Sequence, residues 1–227
     1  MYLWEIGEIV RGTLATRANL FHVPATGLEI FIARSFLSEK ECAGLIDRID
    51  RDLKPSGLLA DSPDPEFRTS QTCELSPADP LVDVVDNKIA AFMGMDPAFA
   101  ETLQGQRYAV GQQFKRHTDF FYENQGYWQL MQKTGGQRTW TAMIFLNTPE
   151  GGGHTFFEHA AVKATPRAGH LLIWNNLDAE GRGNSYSLHQ GMPVTAGVKY
   201  IITKWHRERP WVALTDEGEP APDGYYG

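Results

Sequence analysis

Two residues raise the first chemical question in this chain: His117 and Asp119, in the stretch RHTDFF from Arg116 to Phe121. At an i, i+2 spacing, an imidazole and a carboxylate point to the same side if the segment is a strand. Burying that pair among aromatic rings is costly unless something satisfies both groups. A metal ion would do so, provided a third donor arrives from elsewhere in the chain. Seven histidines are available: His22, His117, His154, His159, His170, His189 and His206. A lone histidine in a β-rich protein is more often a satisfied core or surface residue than a ligand. Of the distant ones, His189 lies in YSLHQGMPV, a strand-like run that ends in a Gly-Met-Pro turn.

Two histidines and one carboxylate on a rigid β scaffold match the facial triad of non-haem Fe(II) oxygenases, which leaves three coordination positions open. Zinc and manganese sites in cupin-like barrels use similar sets, so the spacing alone leaves the metal undecided. Ten residues beyond His189, Lys199 opens the run KYIITKWHR. Strand alternation places Lys199 on one face with Ile201, Thr203 and Trp205. An inward lysine is rare unless it meets a negative group, although a lysine at an exposed strand mouth would need none. A dicarboxylic keto acid would supply such a group. Two of its donor atoms can chelate the metal, and its far carboxylate requires a cation.

The elements that must position these residues fall into two textures. The first half reads as helical. SEKECAGLIDRIDRDL starts with Ser38 and has Glu41 three positions on, a capping box. Cys42, Leu45, Ile46, Ile49 and Leu53 then form one apolar face. ADPLVDVVDNKIAAFMGM predicts a second helix, with Asp79 as N-cap, Pro80 at the first position, Gly94 as stop, and Leu81, Val85, Ile89 and Phe92 as its buried stripe. DPAFAETL predicts a short third. From Leu103 onward, short runs rich in β-branched and aromatic residues, punctuated by Gly, Pro and Asn, predict an all-β barrel or jelly roll with the helices covering one face. The stretch YENQGYWQLMQKTGGQR, Tyr122 to Arg138, is too long for a hairpin turn and reads as a substrate-binding lid loop. The tail from Asp216 reads as a poorly ordered end.

Composition fits one soluble globular domain over residues 1–227. It divides into a helix-rich part (1–105), a catalytic β core (106–210) and a tail (211–227). The formal net charge of -7 disfavours a broad nucleic-acid footprint. No apolar run of about 18 residues occurs, so no membrane span is expected. Cys42 and Cys73 are too few for a disulfide scaffold, and the start carries no signal-peptide pattern, so a reducing compartment, the cytoplasm, is expected. Oligomeric state is not legible in the sequence.

From Phe31 to Arg209 the chain resembles the 2-oxoglutarate, Fe(II)-dependent dioxygenases of the prolyl 4-hydroxylase type. The matching segments are SFLSEKECAGLID, RTSQTCEL, LQGQRYAVGQQFKRHTDFF, GGQRTWTAMIFLNTPEGGGHTFF and SLHQGMPVTAGVKYIITKWHR. The resemblance implies an α+β protein with a double-stranded β-helix (jelly-roll) core and N-terminal helices packed on one face. It implies that His117, Asp119 and His189 bind Fe(II) and that Lys199 binds the far carboxylate of 2-oxoglutarate. Tyr108, Thr155 and Trp205 match positions lining the same pocket, and Arg138 matches an arginine near the peptide groove. O2 is the other co-substrate, and ascorbate an accessory reductant. Oxidative decarboxylation of 2-oxoglutarate to succinate and CO2 would then drive hydroxylation of an unactivated C–H bond, with the protein supplying orientation.

The expected substrate is a proline-containing peptide or protein, hydroxylated at C4, with Tyr122, Tyr127 and Trp128 forming one wall of its groove. The walls near the metal would include Phe114, Phe145 and Trp205; core packing is an adequate account of Thr141 and Tyr127. One departure is His154, where the family usually has an acidic residue in a G-G-E-T turn. It reads as an extra polar contact or as part of a flexible loop with Gly151 to Gly153. The missing collagen-hydroxylase cysteines favour a stand-alone enzyme. A hydroxylase of a free amino acid or other small molecule, a nucleic-acid demethylase, a cupin-type isomerase and a silent β-barrel binding module remain as alternatives.

Overall fold

The computed structural model describes residues 2–59 and 62–213; the tail expected from Asp216 lies outside them. Four α-helices occur among the described residues: α1 (Leu3–Leu14), α2 (Glu39–Arg51), α3 (Pro80–Met93) and α4 (Trp128–Lys133). The strands in chain order are β1 (Leu20–His22), β2 (Ile30–Ala33), β3 (Lys54–Pro55), β4 (Gln71–Glu74), β5 (Gln104–Tyr108), β6 (Phe114–His117) and β7 (Arg138–Phe145). They continue with β8 (Gly151–Gly152), β9 (Thr155–Phe157), β10 (Val162–Ala164), β11 (Leu171–Asn175), β12 (His189–Gly191), β13 (Val194–Ala196) and β14 (Lys199–Arg207). None of the described helices is long and apolar enough to cross a membrane.

The caps read from the sequence are present. Ser38 Oγ accepts from Glu41 N while the Glu41 carboxylate accepts from Ser38 N, at 3.2 and 2.6 Å. Asp79 accepts from the backbone N–H groups of Leu81 and Val82, and Gly94 closes α3 at φ 70°. Only glycine adopts that conformation without strain. The buried stripe of α3 is rotated by one position from the expected one. Val82, Val85, Ile89 and Met93 are buried, and Leu81 and Phe92 pack at its margin. DPAFAETL yields only a 3₁₀ turn at Pro97–Phe99, because Ala100 returns to extended backbone. The helix-rich part also contains α1 and four short strands that the sequence did not reveal; three residues or so of alternation carry too little pattern.

An antiparallel eight-stranded sheet runs β1-β2-β11-β7-β14-β5-β4-β3, facing a four-stranded sheet β10-β9-β12-β6; β8 and β13 pair apart from both. This is the jelly-roll arrangement. Two cores follow from strand alternation. Leu45, Ile49, Val85, Ile89 and Ile202 join the helices to the outer face of the large sheet. Ile30, Phe145, Phe157, Trp174 and Ile201 fill the space between sheets.

β14 serves both layers. Lys199, Ile201, Thr203 and Trp205 turn inward, whereas Lys204 pairs with Asp86 of α3 at 2.6 Å on the helical side. His206 shares that outer face, is fully buried, and neither ring nitrogen has a hydrogen-bond partner. Burial, assisted by the Lys204 charge, drives its pKa down to about 3. Folded protein therefore refuses a proton that an unfolded histidine accepts near pH 6.5. Stability should be complete above that value and fall by about 1.4 kcal/mol per pH unit as acid approaches pH 3. Urea midpoints of wild type and His206→Leu between pH 7 and 5 test this. The variant should lose one proton's worth of slope, and equal slopes would refute it.

Candidate active site

The strand pairing places two distant histidines opposite each other. β6 and β12 are neighbours in the small sheet, with His117 directly across from His189. Their rings lie 4.2 Å apart, centroid to centroid. His117 Nδ1 contacts the Lys115 carbonyl at 2.8 Å and His189 Nδ1 contacts the Ser187 carbonyl at 2.9 Å. A carbonyl can only accept, so Nδ1 carries hydrogen in both rings and Nε2 is the nitrogen left to serve as a ligand. Phe114 stacks on His117 at 3.5 Å, and Phe157 and Trp174 pack around His189. Desolvation and the neighbouring His189 hold the pKa of His117 well below its ordinary value, which keeps it neutral.

Asp119 joins them by a route that strand periodicity did not anticipate. β6 ends at His117, and Asp119 sits in the bend that follows rather than on the strand face. The bend still brings one donor atom from each of His117, Asp119 and His189 within 4.8 Å of one another. Asp119 is 4% exposed and His189 6%. Two imidazole nitrogens and a carboxylate brought this close are the donor set of a facial-triad iron centre.

Behind this cluster lies a narrow inner pocket between the sheets, bounded by Tyr108, Thr155, Lys199, Thr203 and Trp205. Lys199 lies across from Tyr108 in the β14–β5 ladder and is only 1% exposed. No carboxylate among the described residues pairs with its ammonium. Two aromatic rings flank it, Tyr108 and Phe145, at 4.9 and 5.6 Å. Burial alone brings the Lys199 pKa down to about 7. An unpartnered buried amine is the group that a ligand carboxylate would satisfy. The residues present thus fit both Fe(II) and a dicarboxylic keto acid. Tyr108 donates to Gln106 Oε1 at 2.7 Å, Thr155 Oγ1 lies 3.9 Å from Met143 Sδ, and the Trp205 indole N–H has no partner.

The inner pocket opens past Phe114, His117, Asp119 and Trp205 into an outer cavity of about 850 Å3. Arg138, Tyr122 and Tyr127 line the outer cavity; Trp128, at the start of α4, does not. The long segment after Asp119 is therefore not wholly loop, since its middle folds into α4. Arg138 lies over the Trp205 ring at 4.0 Å and binds Glu101 through Nε and Nη2 at 2.6 and 2.7 Å. Arg207 shares that carboxylate at 2.8 Å. Burial pushes the Glu101 pKa up, but Arg138 and Arg207 together hold it below its ordinary value. Sequence reasoning missed Glu101 and Arg207; Arg207 sits among Lys204, His206, Glu208 and Arg209, where one more charge carries no signal. His154 does not line either cavity, and Gly151–Gly152 pairs with β13, so this turn is structured rather than loose.

Comparison with known proteins accounts for this geometry. The family model described as the 2OG-Fe(II) oxygenase superfamily matches residues 103–207. A protein of Acanthamoeba polyphaga mimivirus named as a prolyl 4-hydroxylase is 31% identical over 180 residues, covering 79% of this chain and 74% of the relative. The human prolyl 4-hydroxylase subunit alpha-3 is 34% identical over 146 residues, but that match covers 63% of this chain and only 26% of the human one. The crystal structure of a viral collagen prolyl hydroxylase from Paramecium Bursaria Chlorella virus-1, in its 2OG complex, superposes with a TM-score of 0.62. It is 25% identical, and the match covers 78% of this chain and 94% of that one. A relative matched over most of both lengths, a jelly roll of the same kind and a His-Asp-His cluster beside a buried lysine agree: this chain belongs to the prolyl 4-hydroxylase family of 2OG-Fe(II) oxygenases, dioxygenases that use Fe(II), 2-oxoglutarate and O2.

Proposed function

We propose that this enzyme hydroxylates C4 of prolyl residues in an extended peptide segment, with His117, Asp119 and His189 holding Fe(II) and Lys199 holding the far carboxylate of 2-oxoglutarate. The observation that carries the reading is the buried, unpartnered Lys199 amine in a pocket that adjoins the three-residue donor cluster. Bound Fe(II) and 2-oxoglutarate supply the O2 activation and the oxidising power for the C–H bond. The chain's own residues do the rest. Nδ1–H bonds aim both imidazoles. Tyr108, Thr155 and Trp205 shape the keto-acid pocket and exclude water from it.

The substrate assignment rests on the names of the relatives and on the outer cavity. Its volume of about 850 Å3 can hold a peptide segment, and Phe120, Phe121, Tyr122 and Tyr127 offer apolar faces for a pyrrolidine ring. Glu101 occupies Nε and Nη2 of Arg138, which leaves Nη1 without a protein partner among the described residues to donate to a peptide carbonyl. Trp128, away from the cavity wall, is proposed to act through the fold of α4. Arg138→Ala should weaken peptide-stimulated turnover while sparing the slow uncoupled decarboxylation of 2-oxoglutarate. The decisive assay is mass spectrometry of proline peptides for an added oxygen that requires iron, 2-oxoglutarate and O2. Stimulation by a free amino acid or another small molecule, and not by proline peptides, would overturn the peptidyl reading and leave the oxygenase class standing.

The same proposal treats the chain as a single dioxygenase domain, in which the helix-rich part (1–105) braces the core (106–210). Strands β1 to β4 of the first part extending the large sheet support it. A reducing compartment such as the cytoplasm is supported by Cys42 and Cys73, both free and buried. Ascorbate as accessory reductant follows from the family, and is tested by turnover with and without it.

A further inference from the structure

The two histidines of the donor cluster are aimed by carbonyls of their own segments, whereas Asp119 lies beyond the end of β6 and has no such help. Its orientation comes from the opposite sheet. Thr141 Oγ1 donates to Asp119 Oδ2 at 2.7 Å, and Asn176 Nδ2 donates to Thr141 Oγ1 at 2.8 Å. An amide nitrogen can only donate, so the threonine oxygen accepts from Asn176 and its single hydrogen is committed to Asp119. Among the described residues no donor reaches Asp119 Oδ1.

Both supporting residues are themselves rigid. Thr141 is central in β7, paired with Trp174 of β11 on one side and Trp205 of β14 on the other. Asn176 follows β11, donates its N–H to the Thr139 carbonyl at 2.8 Å, and accepts from Asn184 N at 2.9 Å. Thr141 and Asn176 are both 0% exposed. Packing alone would be served by a valine at 141, since the two have nearly the same shape. A hydroxyl that uses both its donor and an acceptor position at zero exposure is instead a polar connection.

We propose that Thr141 and Asn176 are positioning residues, a relay that ties up Asp119 Oδ2 and presents the other carboxylate oxygen alone to the metal. The proposal rests on the reading of Asp119 as a ligand, and the test separates the two. Metal-free protein is titrated with Mn(II) by calorimetry, with folding checked by circular dichroism. Thr141→Val should weaken Mn(II) binding by about 10–100-fold, the usual effect of losing a ligand's supporting hydrogen bond. Thr141→Ser should restore it, which a packing role would not predict because serine leaves a methyl-sized gap. His117→Ala serves as the control that abolishes binding. Wild-type affinity in Thr141→Val beside lost affinity in His117→Ala would overturn the relay and leave the metal site intact. Unchanged affinity in His117→Ala would overturn both. Should Thr141→Val fail to fold, Asn176→Ala decides: weaker Mn(II) binding upholds the relay and unchanged binding overturns it.

Discussion

Replacing Lys199 by alanine should raise the 2-oxoglutarate requirement by a factor of tens to thousands while leaving metal binding nearly unchanged. Removing one partner of a buried, hydrogen-bonded charge pair costs about 2–5 kcal/mol, and each 1.4 kcal/mol is about tenfold in affinity. The burial of Lys199 sharpens the expectation. With no anion beside it, the Lys199 pKa falls to about 7 through burial. A carboxylate arriving next to the amine favours the charged form and raises that value. Binding should therefore take up a proton, and affinity should fall as pH rises above about 7, by up to about tenfold per unit. Calorimetry in buffers of different ionisation enthalpy reads this uptake directly, and the uptake should vanish in Lys199→Ala. The variant should keep or gain thermal stability, because it removes a buried amine that no carboxylate among the described residues compensates. Lys199→Arg should bind poorly, since a planar fork does not fit a pocket shaped around an ammonium. An unchanged 2-oxoglutarate requirement in Lys199→Ala would place the keto-acid anchor elsewhere.

His117→Ala and His189→Ala should each remove Fe(II)-dependent succinate formation, by well over about a hundredfold, since even the outer supports of a metal ligand are worth about 10–100-fold. The fold should survive. His189 gives up contacts with the core rings Phe157 and Trp174, but the β6–β12 ladder is made by backbone groups that alanine retains. Asp119→Ala differs in kind, because it vacates a carboxylate position and leaves both imidazoles in place. A small exogenous anion should then recover part of the activity. Succinate formation measured in parallel with Mn(II) titration separates lost metal from misplaced metal. Full turnover in either histidine variant would remove that residue from the ligand set.

Much of this protein is legible in its sequence. The capping box at Ser38, the Asp79–Pro80 start and the Gly94 stop are local signals, decided by hydrogen bonds within four residues, and they hold. The inward face of β14 follows from a period of two and needs no tertiary information, so Lys199, Ile201, Thr203 and Trp205 line one pocket as read. Alternation fails where elements are too short to show it. The strands β1, β3 and β8, the helix α4 inside a presumed loop, and the end of β6 before Asp119 are all two to six residues long or set by such a boundary.

The amino-acid sequence by itself determined which chemical groups this protein owns and which side of each long element they occupy, because propensity, capping and periodicity act over a few neighbouring residues. It determined the jelly-roll class and, through resemblance, the oxygenase family. Only the tertiary structure decided which distant groups meet. His117 and His189 are 72 positions apart in the chain and become neighbours through the β6–β12 register. Asp119 receives its hydrogen bond from Thr141 and, behind it, Asn176, which lie 22 and 57 positions further on. Arg138 and Arg207 share Glu101 because β7 and β14 run side by side. The physical reason is that strand register and sheet packing are settled by the simultaneous burial of many side chains. No short window of sequence contains that sum.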